Sequence, residues 1–540
     1  MTISDAGLAG RISRLESELA PLMTAAAEAS WQLNVTGEDR WQDESARLTT
    51  EMRALLSRAD EYAFLRETVA RGNGADPLLL RQAVLLRNAA APNQLPHATI
   101  ERLVQLETAL EAAFNAFRAD LDGERVGENL IREVLDSSND LALRRRAWEA
   151  SKQIGPEVAP QLLELVGERN RAARALGFPD YYSMAFELDE LDVEEVFATL
   201  DRVVAGSQEP YERYKANLDT VLAERFGIAV DELRPWHYAD PFFQEAPAAD
   251  LELDRWFDGR SLEETVIAYF DAVGFDVRPI LARSDLYERE GKCQHAFCSD
   301  IDRRGDIRIL CNLTSTEYWV ATLLHELGHG VYDEGIDPEL PYFLRTAAHV
   351  ITTEASAMLF GRLSRSAEWL ARYTTMPADE ARAATAALTR ARVAQNLHVA
   401  RWVPVMAHFE RELYRDPTQE LNGLWWDLVE RFQLVRRPEG REASDHTSRH
   451  ADWAAKIHLS SAPAYYQNYL LGEVVASQLQ AHLLELCGGW ARYVESPEVA
   501  RFLDERLFRS GSSVDWRGAI EQATGRPLDV GPFLAELTDA

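Results

Sequence analysis

Apolar residues recur at three- and four-residue steps along most of the chain, with Glu and Arg between them, as in AGRISRLESELAPLMTAAAEASWQL and ATIERLVQLETALEAAFNAFRADL. That period puts the apolar side chains on one face of an α-helix, so a mainly helical protein is predicted. The first 130 or so residues read as long antiparallel helices forming an N-terminal lid or wall, broken where Gly and Pro interrupt the period at RGNGADP and AAAPNQLPH. One zone departs from the helical period. Residues 276–313, DVRPILARSDLYEREGKCQHAFCSDIDRRGDIRILCNL, carry short β-prone runs between polar turns and predict a small strand element. No internal repeat or low-complexity tract is present, which argues against a solenoid.

Composition narrows the function classes. A chain of 540 residues exceeds what one hydrophobic core usually serves, and we expect a single large catalytic unit built of subdomains over 1–540. The formal charge of -31, spread along the chain, repels nucleic-acid phosphate and anionic lipid, so neither is expected as a partner. Nearly every cation is arginine, and the few lysines, Lys456 among them, stand out. No run approaches the ~18–20 apolar residues that span a bilayer, and the start, MTISDAGLAGRISRLESELAPL, lacks the pattern of a secretory leader. A cytoplasmic location is expected, with Cys293, Cys298, Cys311 and Cys487 as reduced thiols and the sequons at Asn34 and Asn312 as chance matches.

The candidate chemistry lies in LLHELGHGVYDEG, residues 323–335. Thr314-Ser-Thr-Glu317 predicts a capping box, after which the helical period runs until Gly335 supplies a stop. On such a helix His325 and His329 project from one face, one turn apart, where two imidazoles reach one tetrahedral metal. Glu326 falls beside them, in the H-E-x-x-H arrangement whose glutamate takes a proton from the attacking water. Catalytic zinc needs a third protein ligand and an open position. Glu354, 25 positions after His329 in the helical and largely apolar run RTAAHVITTEASAMLFGRL, is the expected third ligand. His349 is the competing candidate, which a helix would turn away from Glu354.

The likeness extends beyond that motif. ASWQLNVTGED (29–39), QHAF (294–297), LPYFLRTAAHVITTEA (340–355) and KIHLSSAPAYYQNY (456–469) occur in this order, and together they resemble the angiotensin-converting-enzyme family of zinc peptidyl-dipeptidases. YQNYLLGEV is similar to thimet-type oligopeptidases, and HELGHGVYDEG with YYQNYLLGEVVASQ is similar to Taq-type carboxypeptidases. The resemblance implies an all-α protein with a small β element at 276–313, built as an elongated two-subdomain zincin-type peptidase with a deep central cleft, and with its zinc-site and substrate-binding helices within 314–480. It implies one Zn²⁺ per chain held by His325, His329 and Glu354, with Glu326 as the base. By the same resemblance, Tyr469 hydrogen-bonds the developing oxyanion, His295 and His458 hold the substrate backbone, and Ala296 lies on the strand edge along which a peptide pairs. Without the family, His295, His458 and the three tyrosines of AYYQNY read as core or surface residues, the tyrosines lying on an apolar helix.

The family clamps the substrate's C-terminal carboxylate with a lysine, a tyrosine and a glutamine. Lys456 and Tyr466 match the first two, whereas Tyr238 stands where the glutamine is expected, two positions after Trp236. Asn468 replaces the arginine tied to chloride activation, and Met358 replaces an aspartate four residues after the third ligand, leaving a ligating histidine to be oriented by another group. The expected function is zinc-dependent hydrolysis of short oligopeptides by release of C-terminal dipeptides, with no membrane partner and no oligomeric state implied. The alternatives are a metallocarboxypeptidase or an endo-oligopeptidase of the same fold. A helical peptide-binding protein with a vestigial zinc site is the non-enzymatic alternative.

Overall fold

A computed structural model of the protein describes residues 5–72, 76–247, 251–441 and 450–538. It is mainly helical, as predicted, with two small antiparallel hairpins among the described residues. The chain divides into two compact units, each assembled from separated stretches: Met1–Gln94, Leu251–Thr389 and Leu471–Phe533 form the first, and Leu95–Asp250, Arg390–Leu470 and Leu534–Ala540 the second. The boundary at Gln94 falls inside the stretch expected as one N-terminal wall. No described helix is long and apolar enough to cross a membrane.

In the first unit the opening helix, Asp5–Thr36, presents Leu8, Ile12, Leu15 and Leu19 at steps of four and three. These pack with Leu65, Ala83, Leu86, Tyr342 and Phe343 into one core cluster. Where that helix ends, Gly37 turns the chain at φ +66°, and a Cβ there would lie 2.4 Å from the carbonyl oxygen of Gly291. Only glycine fits both demands. The close approach lets the Cys293 N–H reach Asn34 O at 2.8 Å, so the turn of NVTGED supports the loop leading into the hairpin of β3 (Phe297–Asp300) and β4 (Ile307–Leu310).

The zone expected to hold strands is mixed. It contains the helix Arg278–Arg283, and its strands are confined to 297–310, with Asp285 bridging β4 in parallel. Lys292 is buried and ties the intervening loop down, donating to the carbonyls of Asp285, Tyr287 and Cys311 while pairing with the Asp285 carboxylate at 2.8 Å. The next helix starts later than its capping box predicts. It spans Glu317–Gly335 and is capped by Thr316, whose side chain accepts from Trp319 N, because Asp254 takes the Glu317 N–H at 2.8 Å. Its end also differs from expectation. Ile336, not a left-handed glycine, follows the last turn, and Gly335 is small because a Cβ would lie 2.8 Å from Phe508 Cβ.

In the second unit a hairpin appears within what was expected to be helix: β1 (Ala119–Leu121) and β2 (Glu124–Val126). Asp122 and Gly123 join them with φ of 59° and 88°, the two positive values of a two-residue Asp-Gly turn. The tyrosines of AYYQNY also sit differently. The helix there begins at Gln467, so Tyr465 and Tyr466 precede it and Tyr469 lies in its first turn. Arg169 braces the segment just before them, donating to Tyr414 Oη, to the carbonyls of Leu459 and Ser460, and to Glu107.

Glu410 completes this brace by accepting the Ala464 N–H at 2.9 Å, where Ala464 holds a φ of 56°. Burial pushes the Glu410 carboxyl up to about 8, against the opposing Ala464 N–H and Arg169. A carboxyl with a raised folded pKa binds its proton more tightly folded than unfolded, so its contribution to stability falls as pH rises between about 4.5 and 8. Glu410→Gln keeps an acceptor for Ala464 and loses the charge. It is expected to flatten the fall between pH 5 and 7 by about 1–3 kcal/mol, read from urea unfolding at the two pH values. Identical slopes in the two proteins would rule out a raised Glu410 pKa in the folded state.

Candidate metal centre

The histidine helix, Glu317–Gly335, and the glutamate helix, Val350–Gly361, pack together in the first unit. Their contact is close because Gly328 faces the glutamate helix, with Ala357 Cα and Ser356 O where a Cβ would go, and Ser356 Oγ donates to Gly328 O at 2.9 Å. Two further glycines crowd the ligands. A Cβ at Gly361 would lie 3.3 Å from His325 Cβ, and one at Gly472 would lie 3.3 Å from Glu354 Cβ.

This packing brings His325, His329 and Glu354 together, each offering a ligand atom within 4.8 Å of the others. His325 Nε2 lies 3.7 Å from Glu354 Oε2, and the two imidazole rings are 5.0 Å apart at 84°. Ligand atoms around a tetrahedral zinc at 2.0–2.1 Å stand about 3.4 Å from one another, so the triangle fits the ion with small side-chain adjustments. No fourth His, Cys, Asp or Glu joins the group among the described residues, and three protein ligands are the number that a catalytic zinc would need. Loss of solvation pushes His325 down to about 4, and burial with the neighbouring His325 pushes His329 down to about 3. Both are neutral at pH 7, the form that binds metal.

Glu326 is buried beside the triangle and outside it. Its carboxylate accepts the backbone N–H of Cys298, which ties it to strand β3. Burial first, and then the Glu354 carboxylate, push Glu326 up to about 8 against that N–H. A divalent cation beside it lowers the value again.

Two residues missing from the sequence reading complete the first-unit site. Thr353 Oγ1 lies 2.7 Å from His329 Nδ1, which leaves Nε2 for a metal. This hydroxyl does the orienting that the absent aspartate leaves open, while Met358, at the aspartate's place, packs toward Gly472. Its position next to Glu354 was the available signal. The other is the Cys298 amide, a backbone group with no sequence signal. His349 is not within the helix as expected. It caps the glutamate helix, its Nδ1 accepting the Ile351 N–H at 3.0 Å, and is occupied there. Thr353→Val removes the hydroxyl with little change of shape and is expected to weaken zinc binding about 10–100-fold in competition with a chelator, with Thr353→Ser restoring it. Equal affinity in the valine variant would remove Thr353 from the site.

His295 is exposed in a bend, and Ala296 lies one residue before β3, so neither is on the strand where QHAF had placed them. The loop tied down by Lys292 and Cys293 delays pairing until Phe297.

In the second unit His458, Tyr466 and Tyr469 cluster: the His458 and Tyr466 rings are 4.9 Å apart, and those of Tyr466 and Tyr469 5.5 Å. His458 Nδ1 is buried with no hydrogen-bond partner among the described residues, and burial pushes His458 down to about 4. Lys456 is buried with its Nζ 5.8 Å from the Tyr466 ring centroid and 2.6 Å from Gln244 Oε1. The glutamine beside the lysine is therefore Gln244. Tyr238 is engaged elsewhere, its hydroxyl bonded to Lys215 and Asp219. Asp240 creates the turn that delivers Gln244 by accepting the N–H groups of Phe242, Gln244 and Glu245.

Residues 279–539, just under half of the chain, match the family model for peptidase family M3. Over 319 residues, 55% of the chain, the sequence is 22% identical to the "Inactive angiotensin-converting enzyme-related protein" of Caenorhabditis elegans. The chain spans 34% of that curated relative, about a third of its length. The stretch matching family M3 contains the histidine and glutamate helices that carry the ligand triangle, and the two likenesses together do not single out the converting-enzyme family.

Proposed function

We propose that the protein is a peptidyl-dipeptidase acting on short peptides, with one zinc ion per chain. The observation that carries this reading is the triangle of His325, His329 and Glu354, with a buried, non-ligating Glu326 at its side. When bound, zinc acidifies a water and polarises the carbonyl to be attacked. Glu326 takes the proton as the water attacks and passes it to the leaving amine. The converting-enzyme resemblance assigns the second unit its roles. Tyr469 donates to the oxyanion, while His458, whose buried Nδ1 has no partner among the described residues, holds the substrate backbone. His295 and Ala296 keep their assignment to the substrate backbone as part of this proposal.

Dipeptide release rests on Lys456. A buried ammonium hydrogen-bonded by Gln244 and close to Tyr466 supports capture of a free C-terminal carboxylate, and the glutamine missing at position 238 is supplied by Gln244. The retained Glu326 weighs against a vestigial site, where a buried carboxylate outside the ligand set has no task. The test is hydrolysis of a free-C-terminus octapeptide by the purified protein, before and after chelation and with zinc restored, with products identified by mass. Zinc-dependent loss of a C-terminal dipeptide is expected. Loss of one residue or internal cleavage would replace this mode with carboxypeptidase or endo-oligopeptidase action. Bound zinc with no cleavage would leave a peptide-binding protein.

A further inference from the structure

Ala464 holds a φ of 56° although it carries a Cβ, a conformation that costs an L-residue free energy and persists only where the surroundings impose it. Both sides of the residue are held. Its N–H is accepted by Glu410 Oε1 at 2.9 Å, and its carbonyl accepts from Gln467 Nε2. Glu410 stands on the helix Ala378–Arg415 and is 2% exposed. Its hydrogen bond goes to this backbone group and not to a cation, since the bonds of the nearby Arg169 go to Tyr414, Leu459, Ser460 and Glu107. Burying a carboxyl is unfavourable, and an apolar side chain would fill the same volume, so the position uses Glu410 as an acceptor.

The two residues that follow Ala464 flank Tyr469. The Tyr469 ring lies 5.3 Å from that of Tyr465 at 78° and 5.5 Å from that of Tyr466 at 64°. The backbone repeats the arrangement, with Asn468 N donating to Tyr465 O at 2.9 Å and Tyr469 N to Tyr466 O at 3.2 Å. Tyr466 in turn meets the rings of Trp402 at 6.0 Å and His458 at 4.9 Å. A rotation of the chain at Ala464 therefore carries both flanking tyrosines with it and displaces Tyr469.

We infer that Glu410 is a positioning residue for Tyr469: by accepting the Ala464 N–H it holds the left-handed turn that sets Tyr465 and Tyr466 against the Tyr469 ring. This rests on the reading that Tyr469 donates to the oxyanion, and it adds the buried group on which that donor depends. An oxyanion contact is made in the transition state and not in the bound substrate, so a displaced Tyr469 lowers kcat and leaves KM. A group that only stabilised the unit would lower the melting temperature and leave the turnover of each folded molecule unchanged.

The test is steady-state hydrolysis of the octapeptide by the full zinc-loaded chain and its variants, with kcat referred to folded, zinc-containing protein. Glu410→Leu is expected to lower kcat about 10–100-fold with KM within about twofold. Glu410→Gln keeps the acceptor and should restore kcat. Ala464→Gly removes the penalty of the left-handed turn and, added to Glu410→Leu, should recover most of the lost rate. Ala464→Val opposes the same turn without touching Glu410 and should reproduce the selective loss of kcat, which decides the matter even where Glu410→Leu does not fold. An unchanged kcat in Glu410→Leu, equal losses in the leucine and glutamine variants, or no recovery with glycine would overturn the positioning role. Tyr469→Phe separates this from the reading beneath it. A loss of kcat there without one in Glu410→Leu removes only the positioning, whereas undiminished kcat in Tyr469→Phe removes the oxyanion donor and the role of Glu410 with it. A parent protein that cleaves no peptide overturns both together.

Discussion

Glu326→Gln is expected to lower peptide turnover by about 10²–10⁴-fold while the protein keeps its full zinc content. The two readouts separate because Glu326 lies outside the group formed by His325, His329 and Glu354. The substitution is conservative where structure is concerned. A glutamine offers Cys298 N–H the same acceptor and fills the same buried volume, so strand β3 keeps its anchor on the histidine helix. What it lacks is a basic oxygen, and no described residue of the triangle can supply one, since all three are committed as ligands. Metal analysis and turnover on the same preparation test this directly. Undiminished turnover with metal in place would sink the mechanism, and loss of metal would instead make Glu326 part of the binding site.

The helical architecture was legible because burial repeats with the helical period, as in Leu8, Ile12, Leu15 and Leu19. The placing of the two candidate ligands was legible for the same reason, His325 and His329 being neighbours on one helix. Features set by contacts distant in sequence were not. The cap moved from Thr314 to Thr316 because Asp254, 63 positions away, claims the Glu317 N–H. Gln244 reaches Lys456 across 212 positions, through a turn organised by Asp240, so spacing counted from Trp236 pointed to Tyr238 instead. The β1–β2 hairpin was readable in its Asp-Gly pair, yet strands of three residues are too short for alternation to show between helices. The candidate site joins these two kinds of information: periodicity supplies the histidines, and packing supplies Thr353 and the Cys298 amide.

The packing itself should control metal affinity, through Gly328. In H-E-x-x-H the fourth position is free to vary as far as chemistry goes, yet here a Cβ on residue 328 would lie 2.7 Å from Ala357 Cα and 3.0 Å from Ser356 O. Both are backbone atoms of the glutamate helix and cannot swing aside as a side chain would. Gly328→Ala gains about 1 kcal/mol of helix propensity but forces the helices apart, and overpacking of this kind costs about 1–3 kcal/mol. A net loss of stability of up to about 2 kcal/mol is expected. Glu354 moves with the glutamate helix while the histidines do not, so zinc affinity should fall by about 10-fold or more. Gly330→Ala is the control on the same helix. Its Cβ would approach only the side-chain carbons of Ile280 and Ile307, at 3.2 Å and beyond, and these can shift. Chelator competition on both variants decides the matter. Weakened zinc binding in Gly328→Ala with Gly330→Ala close to the parent would show that the helix separation sets the ligand triangle, whereas equal affinities in all three proteins would mean that Glu354 reaches the metal without that close contact.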